Sequence, residues 1–382
     1  VPPLPSPAWV RLRPILGGIC GTDLAVILQR QHPASILQAF SSLPAVCGHE
    51  NVAVVDRAGP EVTRFAPGDR VVVEPTLSCV PRGIDPVCRP CAEGRFTLCE
   101  RFRDGALPPG SMIGWNRFTG GSWAPFFVAH ESQLYRVPDA LGDEEAVLVD
   151  PAAGAVHAVL RHAPAGDQAA LILGGGFMGV AMVAALRALG CRSRLVGLVR
   201  TSTQGERMRA YGADETVVIP AGTGQADRYA AIADRIGGRI VPTRFGHHAF
   251  IGGFDTVYDC VGTGSSLTDA MKYARARGTV VQVGTSQIVL VDTCPLWFNE
   301  QTVLGVNGRA IEEYAGRRLH TYEVVFDLMT RGRLRLSGLL THRFGLEDWR
   351  RALATAAGLC GDAVKVAFEQ PSPSKRSPAP MT

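Results

Sequence analysis

The chain has 382 residues, a formal net charge of +4, 46% hydrophobic residues and 43 glycines. That length predicts two domains with full cores. The mild charge gives no argument for nucleic acid or an acidic membrane as partner, and no run of about 18 apolar residues predicts a membrane span. The start, VPPLPSP, has neither a basic nor an apolar leader region and is not read as a signal peptide. Because the chain does not begin with Met, a short leading segment is expected to be missing, and the expected location is the cytoplasm. Ten cysteines in such a chain point to metal rather than to a disulfide framework.

Trp9–Arg13 alternates like a strand after a proline-rich start. Gly17-Gly18-Ile19-Cys20-Gly21-Thr22-Asp23 then crowds glycines around a thiol, a hydroxyl and a carboxylate. Residues 24–40 read as helix. Cys47-Gly48-His49-Glu50 leads into a strand over Asn51–Asp56, and Pro67-Gly68-Asp69 turns into a strand over Arg70–Glu74. Cys20, His49 and Glu50 are zinc-type donors, and Asp23 could hold the second nitrogen of His49. Singly, each is an ordinary core or satisfied polar residue. Their joint setting ahead of a nucleotide fingerprint gives them weight.

Cys79, Cys88, Cys91 and Cys99 follow. Cys88-x2-Cys91-x7-Cys99 is metal-site spacing, and an eight-residue loop still lets Cys79 join, since loop length costs little free energy. Four thiolates fill a zinc shell, so this site is expected to be structural; an incomplete site or a disulfide is the alternative. Trp115 reads equally as a pocket wall and as a core aromatic. Asp150 reads as the N-cap of a helix over 151–162.

Leu171–Leu173 is a buried strand running into Gly174-Gly175-Gly176-Phe177-Met178-Gly179, and Val180–Leu189 is a helix. This is G-x-G-x-x-G in a strand–turn–helix setting: the first glycine for the turn, the second for approach of a pyrophosphate, the third for helix–strand packing. Gly174, Gly176, Phe177, Met178 and Gly179 are the candidate pyrophosphate turn at a helix N-terminus. The second strand, Leu195–Val199, ends where an NAD enzyme places an acid. Here Arg200-Thr201-Ser202-Thr203 follows, so Arg200, Thr201 and Ser202 predict NADP over NAD. Residues 206–219 read as helix, Gly212 and strand, and 220–253 as loops longer than the unit requires, with His247 and His248 at the surface. Phe254–Cys260 and Thr279–Gly284 are strands bracketing a helix near 267–275. Thr321–Thr330 and Leu346–Ala357 are helices, and 371–382 is a polar tail expected to be disordered.

Together, GICGTD, GHE, the four-Cys lobe and the glycine fingerprint resemble the zinc-containing alcohol dehydrogenases of the medium-chain dehydrogenase/reductase superfamily, in the sorbitol/threonine dehydrogenase-like branch. The likeness runs from about residue 8 to 368. It implies an α/β fold: a GroES-like β-rich catalytic domain over 1–151 with a zinc lobe at about 79–99, a Rossmann doubly wound parallel sheet over 152–306, and a return to the catalytic domain over 307–370. It implies Cys20 and His49 as ligands of a catalytic zinc, with Glu50 and Asp150 in or beside its shell. Relatives carry Cys or Glu at the Asp150 position. Thr22 matches the hydroxyl that relays the alcohol proton, although Ala25 stands where many relatives continue the relay with His. Val261 and Gly284 fit a nicotinamide-side wall, and Lys365 a basic residue meeting the pyrophosphate. The implied activity is zinc-dependent hydride transfer between an alcohol or polyol and NAD(P). The implied partners are a small alcohol or carbonyl substrate and further copies of the chain, as a homodimer or homotetramer. A zinc-free quinone or enoyl reductase and a non-catalytic NADP-binding sensor are the rival readings, and the intact Cys and His motifs weigh against both.

Overall fold

The computed structural model describes residues 2–285 and 288–371, so all but the first residue of the expected tail lies outside the described residues. The chain forms two compact units. The first runs through Pro151, with Arg309–Thr330 and the chain from Leu336; the second is Ala152–Gly308 with Arg331–Arg335.

The first unit is built on the strand Trp9–Gly18. One side pairs antiparallel with Asn51–Ala58; the other pairs with Phe127–His130 near its start and with Lys365–Glu369 at its end. Pro14, which has no N–H to donate, sits beside a register shift, and a second shift falls after Arg11. Arg70–Val73, Leu134–Arg136 and Leu340–Phe344 complete the seven-stranded sheet. Alternate apolar residues of these strands make one core of Trp9, Val10, Leu12, Val55, Val73, Phe127 and Leu134. Each such side chain, fully buried, stabilises by about 1.5–3 kcal/mol.

The helix expected over 24–40 is two short ones, Gly21–Ile27 and Ile36–Ala39. Between them Gln29 takes φ 50° and Pro33 lacks the N–H that a helix needs. Ser35 restarts the helix by accepting the Leu37 N–H at 3.3 Å.

The second unit holds a six-stranded parallel sheet in the order Thr302–Gly305, Ala274–Gln282, Phe254–Asp259, Ala169–Leu173, Arg194–Val199, Glu215–Val218. This is the doubly wound order whose direction reverses between Ala169–Leu173 and Phe254–Asp259, where such sheets open a crevice at their carboxyl ends. Ala169–Leu173 is buried throughout, as is nearly all of the helix Phe177–Ala188.

Residues 220–253, expected as loops, hold a helix over Gln225–Ile236 and a hairpin of Arg239–Pro242 with His248–Ile251. The helix buries Tyr229, Ile232 and Ala233 and stops at Gly237, φ 67°. Tyr229, Phe250 and Tyr273 meet edge to face at 5.7–5.9 Å, which joins the insertion to the main core.

Candidate metal centre and cofactor site

Backbone register brings the candidate donors together. The Gly18 N–H donates to Glu50 O at 2.9 Å, and the Ile19 N–H to Val366 O at 2.8 Å. Three segments, ending in Cys20, carrying His49-Glu50 and opening with Lys365, therefore lie side by side. Gly18 is required there: a Cβ on it would stand 2.2 Å from Glu50 Oε2. The segment at Gly120-Gly121-Ser122 braces the same place, with the Ser122 N–H on Gly48 O and its hydroxyl on Glu50 O.

Ligand atoms of Cys20, His49 and Glu50 lie within 4.8 Å of one another. Donors on one tetrahedral zinc stand about 3.5 Å apart, so movements of about an ångström close the three on one ion. Cys20 caps the helix Gly21–Ile27, and its N–H donates to Asp23 Oδ2 at 3.0 Å. Asp23 Oδ1 stands 3.3 Å from His49 Nδ1, which leaves Nε2 for a metal. Burial works to lower the His49 pKa, but Asp23 and Cys20 outweigh it and hold it well above the ordinary value. A dication would take the place of that proton. The Thr22 hydroxyl is buried with no hydrogen-bond partner among the described residues.

Two residues have partners that the sequence did not announce. The Lys365 ammonium, expected at a pyrophosphate, donates to both oxygens of Glu50, at 2.6 and 2.8 Å. Asp150, expected in or beside the metal shell, lies outside the three-residue donor group but near Lys365, whose charge it helps to hold, and is bonded to other partners. Arg309 Nη1 stands 2.8 Å from Asp150 Oδ1, and the Tyr322 hydroxyl donates to the same oxygen. Arg309 Nε also donates to Glu74 Oε1 at 2.8 Å. Glu74, Asp150, Arg309 and Tyr322 are all buried. Burial pushes Glu74 up, but Arg309 outweighs it and leaves the carboxyl below its ordinary range. Burial, then Asp150, raises the Tyr322 phenol, which keeps its proton and donates it. Asp150 is also not an N-cap; it lies in the first turn of the helix Val149–Arg161.

Cys79, Cys88, Cys91 and Cys99 form the second donor group, all buried. Cys79 Sγ and Cys99 Sγ are 3.7 Å apart, and Cys88 Sγ and Cys99 Sγ 3.9 Å. Zn–S bonds of about 2.3 Å at the tetrahedral angle put sulfurs about 3.8 Å apart, whereas a disulfide needs about 2.05 Å. Backbone N–H groups of Cys88 and Arg101 point at Cys79 Sγ and Cys99 Sγ, each at 3.3 Å. Hydrogen bonds from neighbouring thiols, that of Cys99 foremost, push Cys91 down to about 5, and the same bond raises Cys99. The gap between Cys79 and Cys88 contains a residue that sequence reasoning missed. Arg82 is fully buried and donates to the carbonyls of Leu77, Asp104, Leu107, Pro108 and Gly110. It ties two loops of the lobe together and sets a positive charge near Cys99 and Cys79.

In the second unit the glycine turn lies where the motif requires. Gly174 has φ 106°, and a Cβ on Gly179 would meet Gly174 O at 1.8 Å. Gly176 is exposed at the N-cap of Phe177–Ala188, with nothing within 4 Å of where its Cβ would stand. Phe177 is buried and Met178 half-buried, so the face toward a ligand is backbone. The turn borders a cavity of about 430 Å³ that also touches Arg200, Gln204, Arg228 and Val261. Gln204 fixes the second strand's exit: its Oε1 accepts the Arg200 N–H at 3.0 Å, while Thr201 Oγ1 accepts the Gln204 N–H at 3.3 Å. Arg200, Thr201 and Ser202 are exposed at that exit. A Cβ on Gly284 would lie 2.5 Å from Gly262 N, so two strand ends meet by backbone contact beside Val261.

The family model of the alcohol dehydrogenase GroES-like domain matches residues 6–139, and that of the zinc-binding dehydrogenases matches 178–322. The L-idonate 5-dehydrogenase of Vitis vinifera is 27% identical over 96% of this chain and 89% of its own length. The sorbitol dehydrogenase of Arabidopsis thaliana is 27% identical over 96% and 90%. Among solved structures, one described as a zinc-binding dehydrogenase from Sinorhizobium meliloti 1021 bound to NADP has a TM-score of 0.73 at 24% identity, covering 96% of this chain and 94% of that one.

Proposed function

From the premise that this chain belongs to the zinc-containing alcohol dehydrogenase family of the medium-chain dehydrogenase/reductase superfamily, in its sorbitol/threonine dehydrogenase-like branch, and transfers hydride between an alcohol or polyol and NAD(P), we propose which residues carry the reaction. Cys20 and His49 hold the catalytic zinc, with Glu50 beside them. The convergence of their donor atoms is the observation that carries the proposal. Zinc bound there supplies a Lewis acid for the substrate oxygen, and the nicotinamide supplies the hydride chemistry.

The chain's own residues set the conditions. Asp23 fixes the orientation of His49. Lys365 neutralises Glu50, so the thiolate of Cys20 is the donor set's one uncompensated negative charge. Asp23 adds a further negative charge beside His49, so Cys20, Glu50 and Asp23 against Lys365 leave the charge that a dication would balance. Thr22 Oγ1, buried without a partner among the described residues, is the hydroxyl that would relay the substrate's proton, accepting it while passing its own to a cofactor ribose hydroxyl, a water or another side chain. Asp150 is not a ligand; its charge is spent on Arg309.

NADP is the preferred cofactor. No acid stands at the end of Arg194–Val199 to repel a 2′-phosphate, and Arg200, Thr201 and Ser202 are offered to it. A charge-assisted hydrogen bond of about 1.5–3 kcal/mol corresponds to about 10- to 150-fold in preference. The four cysteines of the lobe hold a structural zinc, supported by their spacing. The chain works as at least a homodimer. Among the described residues the edge strand Thr302–Gly305 has one partner strand, and Leu290, Trp297 and Phe298 stand exposed in the same unit. A reducing compartment such as the cytoplasm suits ten unpaired thiols.

The test is zinc content together with NADP- and NAD-linked turnover on a panel of polyols and secondary alcohols. Two zincs per chain with faster NADP-linked turnover is the expected result. One zinc that survives Cys20→Ser unchanged contradicts the assignment.

A further inference from the structure

The cavity beside the glycine turn carries a charge that the readings above leave unused. Among the described residues Asp269 is the one carboxylate that lines it, against two guanidinium groups, Arg200 and Arg228. A dinucleotide brings negative charge to this end of the site, on its pyrophosphate and on any 2′-phosphate. A carboxylate facing an anionic ligand weakens binding unless it meets a donor on that ligand. Two strand exits of the second unit place the pair. Residues 219–223 lead from the strand Glu215–Val218 into the helix Gln225–Ile236, which carries Arg228. Thr263 caps the helix Gly264–Tyr273 by accepting the Ser266 N–H at 3.1 Å, and Asp269 lies in that helix's second turn.

The pair is loosely made. Arg228 donates from Nη1 to Thr223 O at 3.1 Å and from Nη2 to Asp269 Oδ1 at 3.4 Å, with Oδ2 also 3.4 Å away. Charge-assisted contacts are usually about 2.7–2.9 Å. Arg228 Nε is buried and makes no hydrogen bond among the described residues. Burial raises the Asp269 carboxyl, and Arg228 and Lys272 do not fully offset it. Both side chains keep some exposure, 31% for Arg228 and 21% for Asp269, so a ligand in the cavity can reach them. The surroundings suit a flat base. Ile219, Pro220, Ala221 and Val261 offer apolar surface to its faces, while Asp269 and Arg228 set an acceptor beside a donor. Adenine presents the complement of that arrangement: a 6-amino donor beside a ring-nitrogen acceptor. The Ile219 N–H donates to Val199 O at 2.8 Å, so this wall adjoins the strand exit assigned above to the ribose.

We infer that Asp269, held by Arg228, reads the 6-amino group of the cofactor's adenine and so determines specificity for the base. The inference rests on the cofactor site proposed above and adds a selectivity that the glycine turn and Arg200 do not supply. Hypoxanthine has a carbonyl oxygen at position 6. In the same pose it sets an acceptor against the carboxylate, and a site built to bond one group rejects the analogue that lacks it.

The experiment uses the full chain and needs no alcohol substrate. Fluorescence titration gives Kd for NADPH and NADH, and for the analogue of each with hypoxanthine in place of adenine. The hypoxanthine forms are expected to bind about tenfold or more weakly. Asp269→Asn, whose amide can donate as well as accept, should bring that ratio below about threefold. Arg228→Gln, which leaves the carboxylate without its anchor, should reduce the ratio about threefold. A wild-type ratio below about threefold overturns the inference, whether or not the variants fold, as does a ratio unmoved by Asp269→Asn. If NADH binds more tightly than NADPH, only the preference assigned to Arg200 falls, and the base ratio on NADH still decides. If none of the four dinucleotides binds, the reading of the glycine turn as a cofactor site falls, and this inference with it.

Discussion

Arg309→Leu tests the buried charge network most severely. The guanidinium is the sole cation bridging Glu74 and Asp150 among the described residues, with 2.8 Å contacts to each. Removing it takes from two buried carboxylates the cation bonded to both; Thr76 still donates to Glu74 and Tyr322 to Asp150, with His320 near the first and Lys365 near the second. Breaking a buried ion pair from one side costs about 3–5 kcal/mol. For a unit of this size that is about 2–4 °C per kcal/mol, or about 6–20 °C in Tm. Circular dichroism melts of both proteins at pH 7 and pH 5 are the assay. The sign of the pH effect follows from Glu74. In the wild type its folded pKa lies below the unfolded one, so its stabilisation is present above the unfolded pKa and is lost as pH falls through the folded value. In the variant the unpaired carboxyls have raised pKa values, so their cost is greatest at neutral pH and eases as acid neutralises them. The Tm deficit should therefore shrink from pH 7 to pH 5, and Asp150→Asn added to Arg309→Leu should recover part of it. A deficit under 2 °C, or one that grows toward acid, refutes the reasoning.

Three further outcomes are expected. Arg200→Glu should lower the NADP to NAD ratio of kcat/KM at least tenfold, because it exchanges an attractive charge for a repulsive one at the 2′ position; steady-state kinetics with both cofactors check it. Cys91→Ser should remove one zinc per chain by elemental analysis and lower Tm, while Cys20 retains its own metal. Gly179→Ala should raise the cofactor Kd at least tenfold, because a Cβ at 1.8 Å from Gly174 O forces the turn apart; fluorescence titration with NADPH measures it.

What the sequence made legible was local. The glycine fingerprint is a contiguous strand–turn–helix, and each glycine has a steric reason that any chain would share. Cys20 and His49 could be paired in advance because each sits in a short motif of fixed type. What stayed hidden depended on distant partners. Nothing near Asp150 in the chain announces Arg309, and nothing near Glu50 announces Lys365; sheet register and the return of the chain bring those charges together. Arg82 read as a loop residue because only the folded lobe shows five carbonyls turned toward it. The helix Gln225–Ile236 was hidden by flanking glycines and prolines, although its apolar residues at 229, 232 and 233 carry the helical spacing. The split of residues 24–40 had one visible sign, Pro33.

The central claim is that a metal ion sits between the Cys20 and His49 side chains. A crystal of the zinc-loaded protein, with anomalous difference density collected on either side of the zinc edge, tests it directly. The account predicts a peak about 2.3 Å from Cys20 Sγ and about 2.0–2.1 Å from His49 Nε2, with Asp150 still on Arg309. Density bound to Asp150 in place of either donor, or none between Cys20 and His49, contradicts it.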